Sequence, residues 1–352
     1  MSFSAPRILE QVVSLGASDL HLTVAAPPVV RINRQLSPLA DFPPLTIEDI
    51  ESFLHQVLQP DQMSILEVSK ELDFSISLGH KARFRVNAFY QKGYPSVALR
   101  YIPQVIPTLQ ELHLPSILSS ISAVSQGLIL VVGPAGHGKS TTIASMIDQI
   151  NATRAEHIIT LEDPIEYIFT NKKSLIEQRE LFVDTASWDN ALKSILRLDP
   201  DIVFIGEMRD TETTLAALRI AETGHLVFAT LHTNSASQTV ERIISIFPSE
   251  KQQGLRSQLS AVLEAVVSLR LLSTKDGGVW PAVEILLGTD AVRNIIRDGK
   301  FEQLDNVINT NVHRGMISMD RSLAELIKQG LVAPDEALRY ALNPDQVRRY
   351  LK

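Results

Sequence analysis

Eight consecutive residues, Gly133-Pro-Ala-Gly-His-Gly138-Lys139-Ser140, carry the clearest chemistry in the chain. They fit the spacing G-x-x-x-x-G-K-[ST], in which glycines let the backbone curl its amides around phosphate oxygens. The lysine reaches the terminal phosphates, and the hydroxyl after it can ligate Mg2+. The run Leu128–Val132 before the loop is apolar and strand-like, and Ile143, Met146, Ile147 and Ile150 after it recur at helical spacing. A strand, loop and helix in that order aim the helix dipole at an anion. Gly133, Pro134, Ala135, Gly136, His137, Gly138, Lys139, Ser140 and the following Thr141 therefore read as a P-loop for ATP.

Further candidates stand at the ends of other apolar runs. Glu207 closes Ile202–Gly206, where a carboxylate can hold Mg2+ through water or orient an attacking water. Glu162, Asp163 and Glu166 follow Ile158–Leu161 within five residues, and Pro164 stops that strand from continuing. Glu166 is then either a general base near the γ-phosphate or part of a solvated turn. Ser140, Glu207, Glu162 and Asp163 are the candidate metal ligands. His225 and His232 bracket Leu226–Leu231, where an imidazole can report the γ-phosphate or bridge to Glu207, or serve as a structural histidine. Far upstream, Arg83 and Arg85 share one strand face and Arg100 lies on the next strand, as solvated residues or as phosphate-directed cations.

Two groups of elements must position these residues. From Leu72 the chain alternates through Phe74, Ile76 and Leu78, turns at Gly79-His80, alternates through Ala82, Phe84, Val86 and Ala88, and resumes after Gly93 with Val97, Leu99 and Tyr101. This predicts an antiparallel meander. A helix near Ile8–Leu15, strands near Leu20–Thr23 and Val29–Asn33, and a helix near Ile47–Leu58 complete a small α+β unit over residues 1–102. The proline-bearing stretch Ile102–Pro107 has no periodicity and marks a linker, taken as residues 103–114. From 115 to 352 the apolar runs alternate with amphipathic segments, which predicts a largely parallel sheet flanked by helices. From about Leu255 the expectation is mostly helix, with one strand at Ala282–Leu287 and helices near 290–299, 320–329 and 334–350. No internal repeat is visible.

Composition bounds the rest. The 352 residues suit two domains, and 45% hydrophobic with 21% charged residues indicates a folded, soluble chain. The chain has no cysteine, which excludes disulfides, thiolate zinc sites and cysteine nucleophiles. No signal peptide opens it, and no apolar run nears the roughly 20 residues that cross a bilayer. A net charge of −7 argues against nucleic acid as a partner.

Taken jointly, several segments resemble the secretion-superfamily (GspE/VirB-like) P-loop ATPases, and most closely the type IV pilus retraction, PilT-like, branch. They are Ala17–Leu22, Ala82–Phe89, Gly133–Ser140, Ile159–Glu166, Asp199–Asp210 and Thr223–Thr233. The resemblance implies a RecA-like α/β domain preceded by a PAS-like α+β domain and followed by a helical C-terminal region from about residue 290. It makes Ile159–Glu166 an Asp box with Glu166 as catalytic carboxylate, Glu207 the Walker B acid, and His225 and His232 members of a His box. It carries Arg85 and Arg100 over as arginines that complete the nucleotide site. Ala291–Asp298 looks like a C-terminal motif associated with retraction, and His137 stands where the family usually has serine.

By the same resemblance the chain hydrolyses ATP with Mg2+ as a homo-hexamer, in the cytoplasm, peripheral to the inner face of the membrane at a pilus base. There it would act on an inner-membrane platform protein, with a paralogous pilus ATPase as a further partner. The alternatives are an accessory ring subunit with weak hydrolysis and an extension-type secretion ATPase. Extension enzymes usually carry an added N-terminal region and a four-cysteine zinc subdomain, which this cysteine-free length disfavours. A nucleic-acid translocase, a third option, lacks the basic aromatic stripe such proteins use.

Overall fold

The computed structural model describes residues 4–32, 35–79, 82–102 and 105–352. Two compact units result: Met1–Val105 together with Glu166–Ile168, and Ile106–Ile165 together with Phe169–Lys352.

The first unit runs α1 (Ala5–Ser14), β1 (Asp19–Leu22), β2 (Val29–Ile32), β3 (Gln35–Pro38), α2 (Ile47–Val57), α3 (Pro60–Ser69), β4 (Glu71–Leu78), β5 (Ala82–Gln91) and β6 (Tyr94–Ile102). Its antiparallel sheet has the order β3-β2-β1-β6-β5-β4. Alternation decides which face is covered: Phe74, Phe84, Val86, Ala88, Val97 and Leu99 are buried with Ile8, Leu9 and Val12 of α1 and Ile50, Phe53 and Leu54 of α2. A reciprocal cap starts α2, the Thr46 hydroxyl accepting the Asp49 amide at 3.2 Å while the Asp49 carboxylate accepts the Thr46 amide at 2.9 Å. The expected meander is present as β4, β5 and β6. Strand β3 and helix α3 were not anticipated, and the expected turn residue His80 and strand end Asn33 lie outside the described residues.

The second unit continues with α4 (Ile117–Ser122), β7 (Gly127–Val132), α5 (Lys139–Thr153), β8 (His157–Glu162), β9 (Leu175–Glu180), α6 (Trp188–Ile195), β10 (Ile202–Ile205), α7 (Thr211–Glu222) and β11 (Leu226–Leu231). It ends with α8 (Ala236–Ser245), α9 (Ser249–Val262), β12 (Leu263–Ser273), β13 (Val279–Leu287), α10 (Asp290–Asp298), α11 (Leu304–Thr310), α12 (Met319–Lys328), α13 (Pro334–Leu338) and α14 (Pro344–Leu351). The seven strands lie in the order β13-β12-β7-β11-β10-β8-β9, parallel throughout except at β12–β13. Both faces are covered, as a parallel sheet requires. Leu128, Leu130 and Val132 of β7 face the core shared with α7, α8 and α9, while Ile129 and Val131 face the core shared with α4 and α5.

One strand contradicts the expectation of a mostly helical chain after Leu255, where β13 answers the single strand expected. Strand β12 is central, pairing with β7 on one side and β13 on the other. Its apolar run follows α9 with no glycine or proline between, so local pattern shows no break. Strand β9 was also unforeseen, because an edge strand carrying Glu177, Gln178, Arg179 and Glu180 has no apolar alternation to read. The single helix expected near 334–350 is two, since Pro344 opens a new first turn as α14.

Candidate functional site

The P-loop leaves the end of β7 through Gly133, whose φ of +146° and position bar any side chain: an added Cβ would lie 2.6 Å from the Leu269 carbonyl oxygen on β12. Gly138, at φ +84°, caps the N-terminus of α5, so the first amides of that 15-residue helix face the loop. Lys139 opens the helix and is buried. Its Nζ donates to the carbonyls of Gly133 at 2.9 Å and Pro134 at 3.0 Å, and to His232 Nδ1 at 3.2 Å. Ser140 and Thr141 follow half-buried in the first turn, Ala135 and Gly136 are exposed, and Pro134 and His137 are half-buried.

Because β7, β11, β10 and β8 are parallel neighbours, their carboxyl ends meet at this loop. A continuous line of polar contacts crosses them. From Lys139 it passes to His232, whose Nε2 lies 3.2 Å from Glu207 Oε1. Glu207 Oε2 accepts from Arg209 Nε at 2.7 Å, and Arg209 reaches Asp163 at 3.6 Å. The geometry fixes the histidine tautomer. An ammonium has no lone pair, so His232 Nδ1 accepts from Lys139 and its Nε2–H donates to the Glu207 carboxylate. The line opens on a cavity of about 580 Å³ lined also by Gln238, Glu241 and Arg242 of α8.

The other expected residues are placed as follows. Glu162, at the end of β8, is buried and accepts from the Thr160 hydroxyl at 2.7 Å and the Gln178 amide at 3.2 Å. Glu166 is exposed, four residues beyond β8. His225 is not brought to the strand-end line, contrary to expectation. It precedes β11, beside the first residue of β7, with its Nδ1 2.9 Å from the Thr223 hydroxyl and 3.1 Å from the Ile220 carbonyl. The six residues of β11 separate it from His232 by about 20 Å, at the opposite edge of the sheet. In the first unit Arg85 and Arg100 are exposed and stand directly opposite each other in the β5–β6 register. Like charges so placed repel, and Asp19, 2.9 Å from Arg100 Nε, offsets part of that cost.

Behind the His232 loop a second set of residues, all on β12 and β13, holds the backbone of 234–236. The Ser268 hydroxyl donates to the Asn234 carbonyl at 3.2 Å. Arg270, buried, donates to the same carbonyl at 2.9 Å and to Asn234 Oδ1 at 3.0 Å. Glu284 accepts from the amides of Ala236 at 2.7 Å and Met319 at 3.3 Å, the first residues of α8 and α12. Two helix N-termini thus share one buried carboxylate.

The family model for Type II/IV secretion system proteins matches residues 5–281. The chain belongs to that family. Among the relatives of this secretion-family chain, a twitching motility protein of Neisseria gonorrhoeae is 46% identical over 321 residues, covering 91% of this chain and 86% of that protein. The type IV pilus retractation ATPase PilT of Pseudomonas aeruginosa is 42% identical over 330 residues, 94% of this chain and 96% of its own. A crystal structure of the pilus retraction motor PilT with bound ADP superposes with a TM-score of 0.91 at 46% identity, covering 98% of each chain.

Sequence reasoning about this family member missed Arg209, Arg270 and Glu284. The last two had a signal, a single charge inside an apolar run, which a core tolerates only when it is bonded. Burial pushes the Glu284 carboxyl from 4.5 up to about 7, with Asp305 and Asp320 adding to the rise and the two amide bonds opposing it. A raised carboxyl favours the folded state below 4.5, and that contribution is lost as pH climbs from 4.5 through about 7. Glu284→Gln, neutral throughout, is expected to flatten this decline. Urea midpoints of both proteins at pH 5 and pH 8 check it, and an unchanged difference in Glu284→Gln would exclude the assignment.

Proposed function

We propose that this chain is a motor ATPase that drives retraction of a type IV pilus as a homo-hexamer on the cytoplasmic face of the membrane, where a platform protein is its partner. The observation that carries the reading is the line Lys139–His232–Glu207–Arg209–Asp163 along the strand ends beside the P-loop. The likeness to PilT supports the assignment to retraction. No helix among the described residues is long and apolar enough to cross a membrane. The two units are read as a PAS-like domain before, and a RecA-like domain after, a linker at residues 103–114.

In this reading ATP is the substrate. The loop amides, the α5 N-terminus and Lys139 hold its phosphates, phosphate oxygens competing for the ammonium that Gly133 and Pro134 now bind. Among the described residues no three His, Cys, Asp or Glu form a metal cage. The Ser140 hydroxyl and the Glu207 carboxylate are hard oxygen donors, which suits Mg2+, an ion that completes its shell with phosphate and water. Bound there, Mg2+ would neutralise charge on the β- and γ-oxygens. Glu166 takes the proton of the attacking water as its oxygen bonds to the γ-phosphorus and the bond to ADP breaks. Arg85 and Arg100, exposed on β5 and β6, carry the permanent positive charge that phosphate oxygens attract, and it is the family resemblance that offers them for that role.

Lys139→Ala should abolish ADP binding measured by calorimetry, and Glu166→Gln should lower ATP turnover by about 10²–10⁴-fold while ADP still binds. Unaltered turnover in Glu166→Gln would remove Glu166 as the base. In cells, loss of a retraction motor leaves pili on the surface and abolishes twitching. A deletion strain without pili would instead assign the chain to extension.

A further inference from the structure

The P-loop carries a histidine at position 137, and its ring bonds outside the loop. Strand β12 outruns β7: the last pairing between them is Val132 with Ser268, so Leu271, three residues on, has no β7 residue beside it. On its other side it faces Pro281 of β13. The Leu271 amide instead donates to His137 Nδ1 at 2.9 Å. The loop lies close here, since a Cβ on Gly138 would touch the Leu271 side chain at 3.6 Å. The other edge of the imidazole meets Tyr340, between α13 and α14, with ring centroids 5.8 Å apart and planes at 69°.

We propose that His137 is a positioning residue that clamps the phosphate loop to β12 through the Leu271 amide, and so sets how tightly the loop grips a nucleotide. This rests on the reading of Gly133–Ser140 as a nucleotide loop. Because Nδ1 accepts, the ring is neutral and Nε2 carries the proton. A second proton would sit on Nδ1 against the Leu271 N–H, replacing a bond by repulsion. The groups that face the ring all bear on its titration. Burial is the main cause that lowers its proton affinity, and Arg270 of β12 and Lys139 of α5 lower it further. Tyr340 stands beyond its edge, and Glu111 and His113 line the same cavity of about 300 Å³ from the segment before α4, where His113 stacks on Trp280. The clamp is thus closed at neutral pH and opens only on acidification below the ordinary histidine range.

Three variants separate the clamp from simple packing. His137→Phe keeps a ring against Tyr340 without an acceptor. His137→Asn offers Oδ1 in the place of Nδ1 and does not titrate. His137→Ser reaches neither partner. Calorimetric ADP affinity at pH 7.5 should fall about tenfold in His137→Phe and His137→Ser and be restored in His137→Asn. Between pH 7.5 and 5.5 affinity should weaken more in the natural protein than in His137→Asn. Amide exchange at Leu271, read by deuterium uptake without nucleotide, should speed in His137→Phe and remain slow in His137→Asn. If the natural chain bound no ADP, the functional reading would fail, and the Leu271 exchange would still decide the clamp. Equal exchange and equal ADP affinity in all four proteins would overturn it.

Discussion

The ammonium of Lys139 is the point on which the site turns. It touches two carbonyls of its own loop and, through His232, the carboxylate of Glu207, so one buried cation couples the end of β7 to the ends of β11 and β10. This coupling is a consequence of sheet direction. Parallel strands deliver their carboxyl ends to one edge, and the registers Leu231 with Val132, Ile205 with Ala229 and Ile205 with Leu161 bring four of them nearly level. A polar residue just past each end then needs only one side-chain length to reach the next. The helix dipole of α5 adds positive potential at the same place, which makes the edge an anion site bordered by carboxylates.

A site assembled from strand-end loops needs those loops fixed, and β12 and β13 do this from behind. Arg270 and Ser268 bind the Asn234 carbonyl, while Glu284 binds the first amides of α8 and α12. Burying such groups is costly unless their bonds are made, so the corner 234–236 has one low-energy arrangement and His232, two residues earlier, inherits its position. His137 does the same for the phosphate loop at Leu271. Strand β12 thus touches both halves of the site, through Arg270 at the His232 corner and through Leu271 at the loop.

How much of this was legible depended on whether a residue's role is local. The loop, Glu207 and His232 could be read because each follows an apolar run, and a parallel sheet converts that position into convergence. Flanking a strand places a residue at either end, and the structure puts His225 at the end of β11 opposite His232. Strand β12 was hidden because a strand covered on both faces is a continuous apolar run, and Leu263–Ser273 follows a helix without a breaker. Arg270 and Glu284 show what was available: a charge within such a run must have partners, although sequence cannot say which. The bond from Leu271 to His137 spans 134 positions and follows only from topology.

The central claim is that the strand-end line is a hydrolytic centre and not merely an ion-pair network. Steady-state ATP hydrolysis by purified Glu207→Gln, with ADP binding measured in parallel, tests it most directly. The account predicts turnover lowered by about 10²–10³-fold with ADP still bound, because the amide keeps the shape and removes the negative charge that would hold Mg2+ or orient the attacking water. Turnover equal to that of the natural protein would contradict it.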